Sequence, residues 1–174
     1  MGTKLQHGFT IVELLIVIVI IAILSGLVIS TFVGIQDRAR TSKIQDDLTT
    51  LSKAIEAARV ATGKTLAQIS WRDATAYGCA SEASGTDLAA LNKNTSNCWV
   101  FYRSTLNNIS TAGGVNVRNL KDPWGRPYLI DENEGVSAAT PCRPDEIAAY
   151  KHPFVSNDYG GMNKVTLLTS LPGC

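Results

Sequence analysis

The residue with the most chemical consequence in this sequence is a single carboxylate, Glu13, standing at the head of a long uncharged stretch. From Leu14 to Leu24 the chain reads LLIVIVIIAIL, and no further charge appears before Asp37. A charged side chain at the centre of a membrane span costs on the order of 2.5–3.5 kcal/mol, so a carboxylate at the edge of such a stretch calls for a compensating partner. The four cysteines, Cys79, Cys98, Cys142 and Cys174, all follow the apolar run, as expected of a body held in an oxidising compartment. Three pairings are open to them; Cys79 with Cys98 and Cys142 with Cys174 is the arrangement expected, because each bridge closes a moderate loop. No C-x-x-C spacing points to zinc. His7 and His152 are the only histidines, so a serine or cysteine triad is not readily assembled. The carboxylates Asp131, Glu132 and Glu134, with Asp145 and Glu146, read as solvated loops. The chain is not expected to be an enzyme.

These residues need long elements to position them. Leu14 to Ile35 gives about 33 Å of helix, enough to cross a bilayer core, and Lys4 ahead of it favours a cytoplasmic N-terminus. Beyond the apolar run Ile44, Leu48, Leu51, Ile55 and Ala58 form one helical stripe. No proline precedes Gly63, so a single helix is expected from about 10 to 62, its stripe laid on a small C-terminal antiparallel sheet, with Arg38, Lys43, Asp46 and Asp47 toward solvent. Short helices are expected within 66–75 and 86–92, a longer one from Trp99 to the Gly113–Gly114 pair, and strands at 127–131, 148–156 and 164–169. The class is α+β. With 16 basic and 15 acidic side chains the formal charge is +1, and nucleic acid is not indicated as a partner.

Lys4, Gly8, Phe9, Thr10 and Glu13, followed at once by the apolar run, resemble the prepilin signal of type IV pilins and of the type II secretion pseudopilins. The resemblance implies a type IV pilin-like fold in three parts: a leader at 1–8, the transmembrane and filament-core half of the helix at 9–35, and a globular head at 36–174. It implies cleavage after Gly8 by a prepilin peptidase, methylation of Phe9, and a structural subunit whose helices polymerise with other pilin subunits. An inner-membrane platform and an assembly ATPase are the further partners implied. The chain would begin in the cytoplasmic membrane with its body outside, and end in an extracellular filament. Glycine suits the cleavage position because a backbone without Cβ can lie close inside a protease cleft. Once cut, Glu13 lies one helical turn from the Phe9 amine, and the resemblance implies pairing with a neighbour's amine that sets subunit register. A secretory signal fits less well, since the apolar stretch is too long and no A-x-A-like site follows it.

DPWGRPY, Asp122 to Tyr128, is similar to the D-P-W-G-x-P-Y element of the major type II secretion pseudopilins. By its own chemistry it is a turn entering an edge strand. The four cysteines depart from those pseudopilins and are more typical of adhesive pilins, so a secretion pseudopilus, a surface pilus and a DNA-uptake pilus all stay open. No cofactor is required, but the resemblance implies a structural Ca²⁺ in the loop holding Asn157 and Asp158, with Asp131 drawn in as a further carboxylate. The reading from another class is a monomeric, membrane-anchored exterior domain that binds a ligand.

Overall fold

Helix α1 runs unbroken from Ile11 to Thr62, as the absence of proline before Pro123 permits. In the computed structural model, residues 9–70, 75–156 and 161–167 are described, without the side chains at 27–33 and 75. Gly63, at φ 65°, ends α1, its amide donating to the Arg59 carbonyl at 2.8 Å. The remaining elements are α2 (Leu66–Ser70), α3 (Thr75–Ala80), α4 (Asn97–Gly113), β1 (Tyr128–Asp131), β2 (Glu146–Ala149) and β3 (Met162–Thr166). The chain is therefore α+β, a long N-terminal helix with a small antiparallel sheet.

Two compact units divide at Thr41 and Ser42. In the first, every side chain from Phe9 to Gly26 is exposed, the apolar ones included. Among the described residues no helix is long and apolar enough to cross a membrane. The segment expected to do so, Leu14 to Ile35, contains positions 27–33, whose side chains lie outside the described ones.

In the second unit the expected stripe is buried: Ile44, Leu48, Leu51, Ile55 and Ala58, joined by Ala54, share one core with Trp99, Tyr102, Leu106 and Ile109 of α4. Both faces of β1 and β2 are covered. Tyr128, Ile130, Ile147 and Ala149 join the core of α1 and α4, while Leu129 and Ala148 face a second cluster with Ala76, Cys79, Leu88, Cys98, Tyr150 and Phe154. This alternation follows the pleat, since partners across an antiparallel ladder point to the same side. The strand order is β1-β2-β3, with Tyr128 opposite Ala149 and Asp131 opposite Glu146. Gly113 lets the end of α4 approach α1, for a Cβ there would stand 2.8 Å from the Ala58 nitrogen and 2.9 Å from the Ala54 carbonyl oxygen.

Several expectations are corrected. Asp47 is half-buried rather than left to solvent, because it accepts the Tyr128 hydroxyl at 2.6 Å and Lys43 at 2.5 Å. Residues 86–92 form turns, not a helix: the Asp87 carboxylate captures the Ala89 amide at 3.0 Å, and the Leu88 carbonyl goes to the Trp99 indole N–H at 2.7 Å. The second strand starts at Glu146 and stops at Ala149 instead of covering 148–156. Beyond Ala149 the carbonyls of Tyr150 and Lys151 accept from Arg126, the Phe154 carbonyl accepts from Gly85, and Pro153 has no N–H to offer a ladder. The third strand begins two residues before the expected 164, and residues 168 and 169 lie outside the described ones.

Candidate functional site

Thr10 and Glu13 close the start of α1 as a reciprocal pair. The Thr10 amide and hydroxyl both donate to Glu13 Oε2 at 2.8 Å, and the Glu13 amide donates to the Thr10 hydroxyl at 3.3 Å. This is the Thr-x-x-Glu capping box, which satisfies donors that the first turn of a helix leaves without partners. The pattern was readable in the sequence and supplies Glu13 with a partner inside its own chain. Phe9, one residue outside the cap, is 86% exposed. Gly8, the expected cleavage position, lies outside the described residues.

The acidic segments taken for solvated loops are instead buried, which corrects that reading. Asp131, Glu132, Glu134 and Asp145 are all buried, and two of them, Glu134 and Asp145, meet Arg59 of α1. One Arg59 terminal nitrogen bonds Asp145 and stands 3.3 Å from Glu134. Asp145 also accepts the amides of Asn133 at 2.6 Å and Glu134 at 2.8 Å, so one carboxylate orders the segment after β1 and ties it to α1. Burial pushes the Asp145 carboxyl up from its ordinary value, opposed by those two amides and by Arg59. Glu132 is buried near the Ser70 hydroxyl, and burial pushes its carboxyl up to about 8, with Ser70 working against the rise. The signal for Arg59 was its place four residues after Ile55, at the margin of the buried stripe, where a cation needs a carboxylate.

The first turn of α1 is thus capped within its own chain, and the apolar residues that follow it are exposed. Residues 3–29 match the family model described as the prokaryotic N-terminal methylation motif. Over 131 residues the chain is 30% identical to the type II secretion system core protein G of Aeromonas hydrophila, covering 75% of this chain and 76% of that protein. The chain belongs to the type II secretion core protein G family, the pseudopilins. Core protein G of Klebsiella michiganensis is 38% identical over 56 residues, and that of Escherichia coli K12 is 37% identical over 55. Each of these two alignments covers 32% of this chain, and the chain spans 39% and 38% of those relatives. No solved structure matches the chain.

Within this pseudopilin the DPWGRPY element is a self-locked turn. Asp122 Oδ1 accepts the amides of Trp124 at 3.0 Å and Arg126 at 2.8 Å, while Arg126 Nε donates to Oδ2 at 2.6 Å. Gly125, at φ 81°, takes the left-handed corner, and the guanidinium of buried Arg126 lies 4.8 Å from the centre of the Trp124 ring. Its structural role needs no partner. Cys79 and Cys98 are joined by a disulfide that links α3 to the start of α4; Cys142 is also disulfide-bonded, and Cys174 lies outside the described residues. Of the expected calcium donors, Asn157 and Asp158 lie outside the described residues. Asp131 accepts the Asn133 side-chain amide at 3.1 Å and stands 3.9 Å from Arg143.

Proposed function

We propose that this chain is a structural subunit of a type II secretion pseudopilus. A prepilin peptidase removes the leader after Gly8, Phe9 becomes the methylated N-terminus, and the apolar half of α1 passes from the membrane into a helical polymer of pilin-like subunits. The observation that carries this reading is the exposure of every side chain from Phe9 to Gly26 on a helix whose later stripe is buried. A contiguous apolar surface of this kind requires an external partner. Lipid serves before assembly and sister helices after it, with the inner-membrane platform and its ATPase driving the transfer. Lys4 on one side of the apolar run and disulfide-bonded cysteines on the other support a head outside the cytoplasm.

Glu13 has two roles in sequence. In the precursor it caps α1 through Thr10; after cleavage the Phe9 amine becomes a cation one turn away, and Glu13 pairs with the amine of the subunit already in the filament. A capping box accepts Gln as well as Glu, so Glu13→Gln preserves the cap and removes the charge. Both Glu13→Gln and Glu13→Ala are expected to be cleaved normally and to lower the yield of sheared filaments roughly tenfold or more, in proportion to a lost buried charge pair. Full filament yield from Glu13→Gln would reduce Glu13 to a helix cap.

A calcium ion held by the loop before Gly161 would draw on Asn157 and Asp158, with Asp131 as a further carboxylate. The calcium-dependent rise in melting temperature, measured against chelator, is then expected to shrink in Asp131→Asn. Superimposable melts of the unmodified chain at millimolar calcium remove the ion from the account.

A further inference from the structure

The outward face of α4 borders a pocket of about 500 Å³ lined by Lys93, Arg103 and Arg118 with the side-chain amides of Asn94, Asn107 and Asn119. Three of its lining residues are cations and none is a carboxylate. In a chain whose formal charge is only +1, this clustering is local and not a by-product of a basic protein. The cations are held in place by neutral groups. Arg103 donates from one terminal nitrogen to Asn94 Oδ1 at 3.1 Å and to the Lys93 carbonyl at 3.4 Å. Arg118 donates from Nε to Asn107 Oδ1 at 2.9 Å and from a terminal nitrogen to the Thr111 hydroxyl at 3.1 Å. The Lys93 ammonium stands 5.1 Å from the centre of the Trp99 ring. Among the described residues none of the three has an ion pair with a carboxylate.

Arg103, Asn107 and Thr111 follow one another at intervals of a helical turn, so both guanidinium groups are fixed along the same face of α4. Each commits two hydrogen bonds to neutral oxygens and keeps donors over from its five, with its charge undiminished. A planar fork of this kind matches an oxyanion in two parallel bonds. We propose that the pocket binds a small ligand carrying two oxyanion groups, one on Arg103 and one on Arg118, with Lys93 adding charge and the amides meeting the ligand's polar edges. The anion is a phosphate, sulfate or carboxylate. This site is separate from the capped end of α1 and does not depend on filament assembly.

Calorimetric titration of the detergent-solubilised full-length chain, at constant ionic strength, tests it with three probes: pyrophosphate, a disulfated disaccharide and inorganic phosphate. Saturable one-to-one binding of a two-anion probe is expected, with inorganic phosphate weaker by roughly tenfold. Which two-anion probe binds tighter tells a phosphate source from a sulfated sugar. Arg103→Gln and Arg118→Gln are each expected to weaken binding roughly tenfold without moving the melting temperature, and Lys53→Gln, on an exposed face of α1, to leave it unchanged. Asn107→Asp gives a second, independent reading: it keeps an acceptor for Arg118 but turns that contact into an ion pair and sets a like charge against the anion, so binding should fall by at least roughly tenfold. The proposal is overturned by the absence of saturable heat from both two-anion probes up to about 10 mM, by equal affinity for inorganic phosphate, or by equal loss in Lys53→Gln.

Discussion

Burial decides the charge of Glu132. Its carboxyl, 6% exposed and faced by Ser70, Asp131 and Asp145, is pushed from 4.5 up to about 8, chiefly by loss of water. The folded chain thus holds a proton that the unfolded chain gives up near pH 4.5. Stability from this group is fully present below that value and is lost as pH rises toward 8, by at most about 1.4 kcal/mol per pH unit. Glu132→Gln cannot ionise, so its melting temperature is expected to fall less than that of the unmodified chain between pH 5 and 8, leaving the variant the more stable form at pH 8. Parallel pH profiles would refute the assignment. Nothing in the string DENEG announces this behaviour, because sequence proximity among carboxylates suggests mutual repulsion and hydration. What allows Glu134 and Asp145 to be buried as well is Arg59, more than seventy residues earlier, whose guanidinium meets both. Removing one partner of such a buried pair strands a charge, typically at a cost of about 3–5 kcal/mol. Glu13 was the opposite case. The expected partner was the Phe9 amine, whereas the partner in this structure is Thr10, two residues from the expected cleavage position, which caps the helix through Glu13.

Elements read well from the sequence where one periodic signal dominated. The limits of α1 and α4 followed from unbroken helical spacing closed by Gly63 and by the Gly113–Gly114 pair, the latter at an αL residue whose amide returns to Ser110. The sheet was harder. Residues 148–156 were expected as a strand, but the carbonyls of Tyr150, Lys151 and Phe154 are claimed by Arg126 and Gly85, contacts that no local pattern contains. Gly113 tests whether α4 and α1 are in contact as described. Valine there would place its Cβ against the Ala54 and Ala58 backbone, which cannot yield as a flexible side chain would. Gly113→Val is expected to cost about 1–3 kcal/mol by overpacking, lowering the melting temperature by roughly 2–4 °C per kcal/mol. An unchanged melt would mean that the two helices are not in that contact.

The molecule as a whole divides its labour along one helix. The half of α1 after Ser42 belongs to a head stabilised by its own core, by Arg59 and Arg126, and by the Cys79–Cys98 bridge, while the half from Phe9 to Gly26 is apolar and left uncovered by its own chain. That contrast was legible in the sequence because hydropathy changes character at Asp37, and the short signal around Gly8 and Glu13 gave it a family. The head carried a weaker signal, since beyond DPWGRPY its stability rests on pairings between residues far apart in sequence. The account turns on what happens at Gly8, and the most direct measurement is the intact mass and N-terminal sequence of the mature chain isolated from membranes of cells carrying the prepilin peptidase. A chain of residues 9–174 beginning with N-methylated Phe9 is the predicted result; an intact Met1, or a cut beyond Leu24, would contradict it.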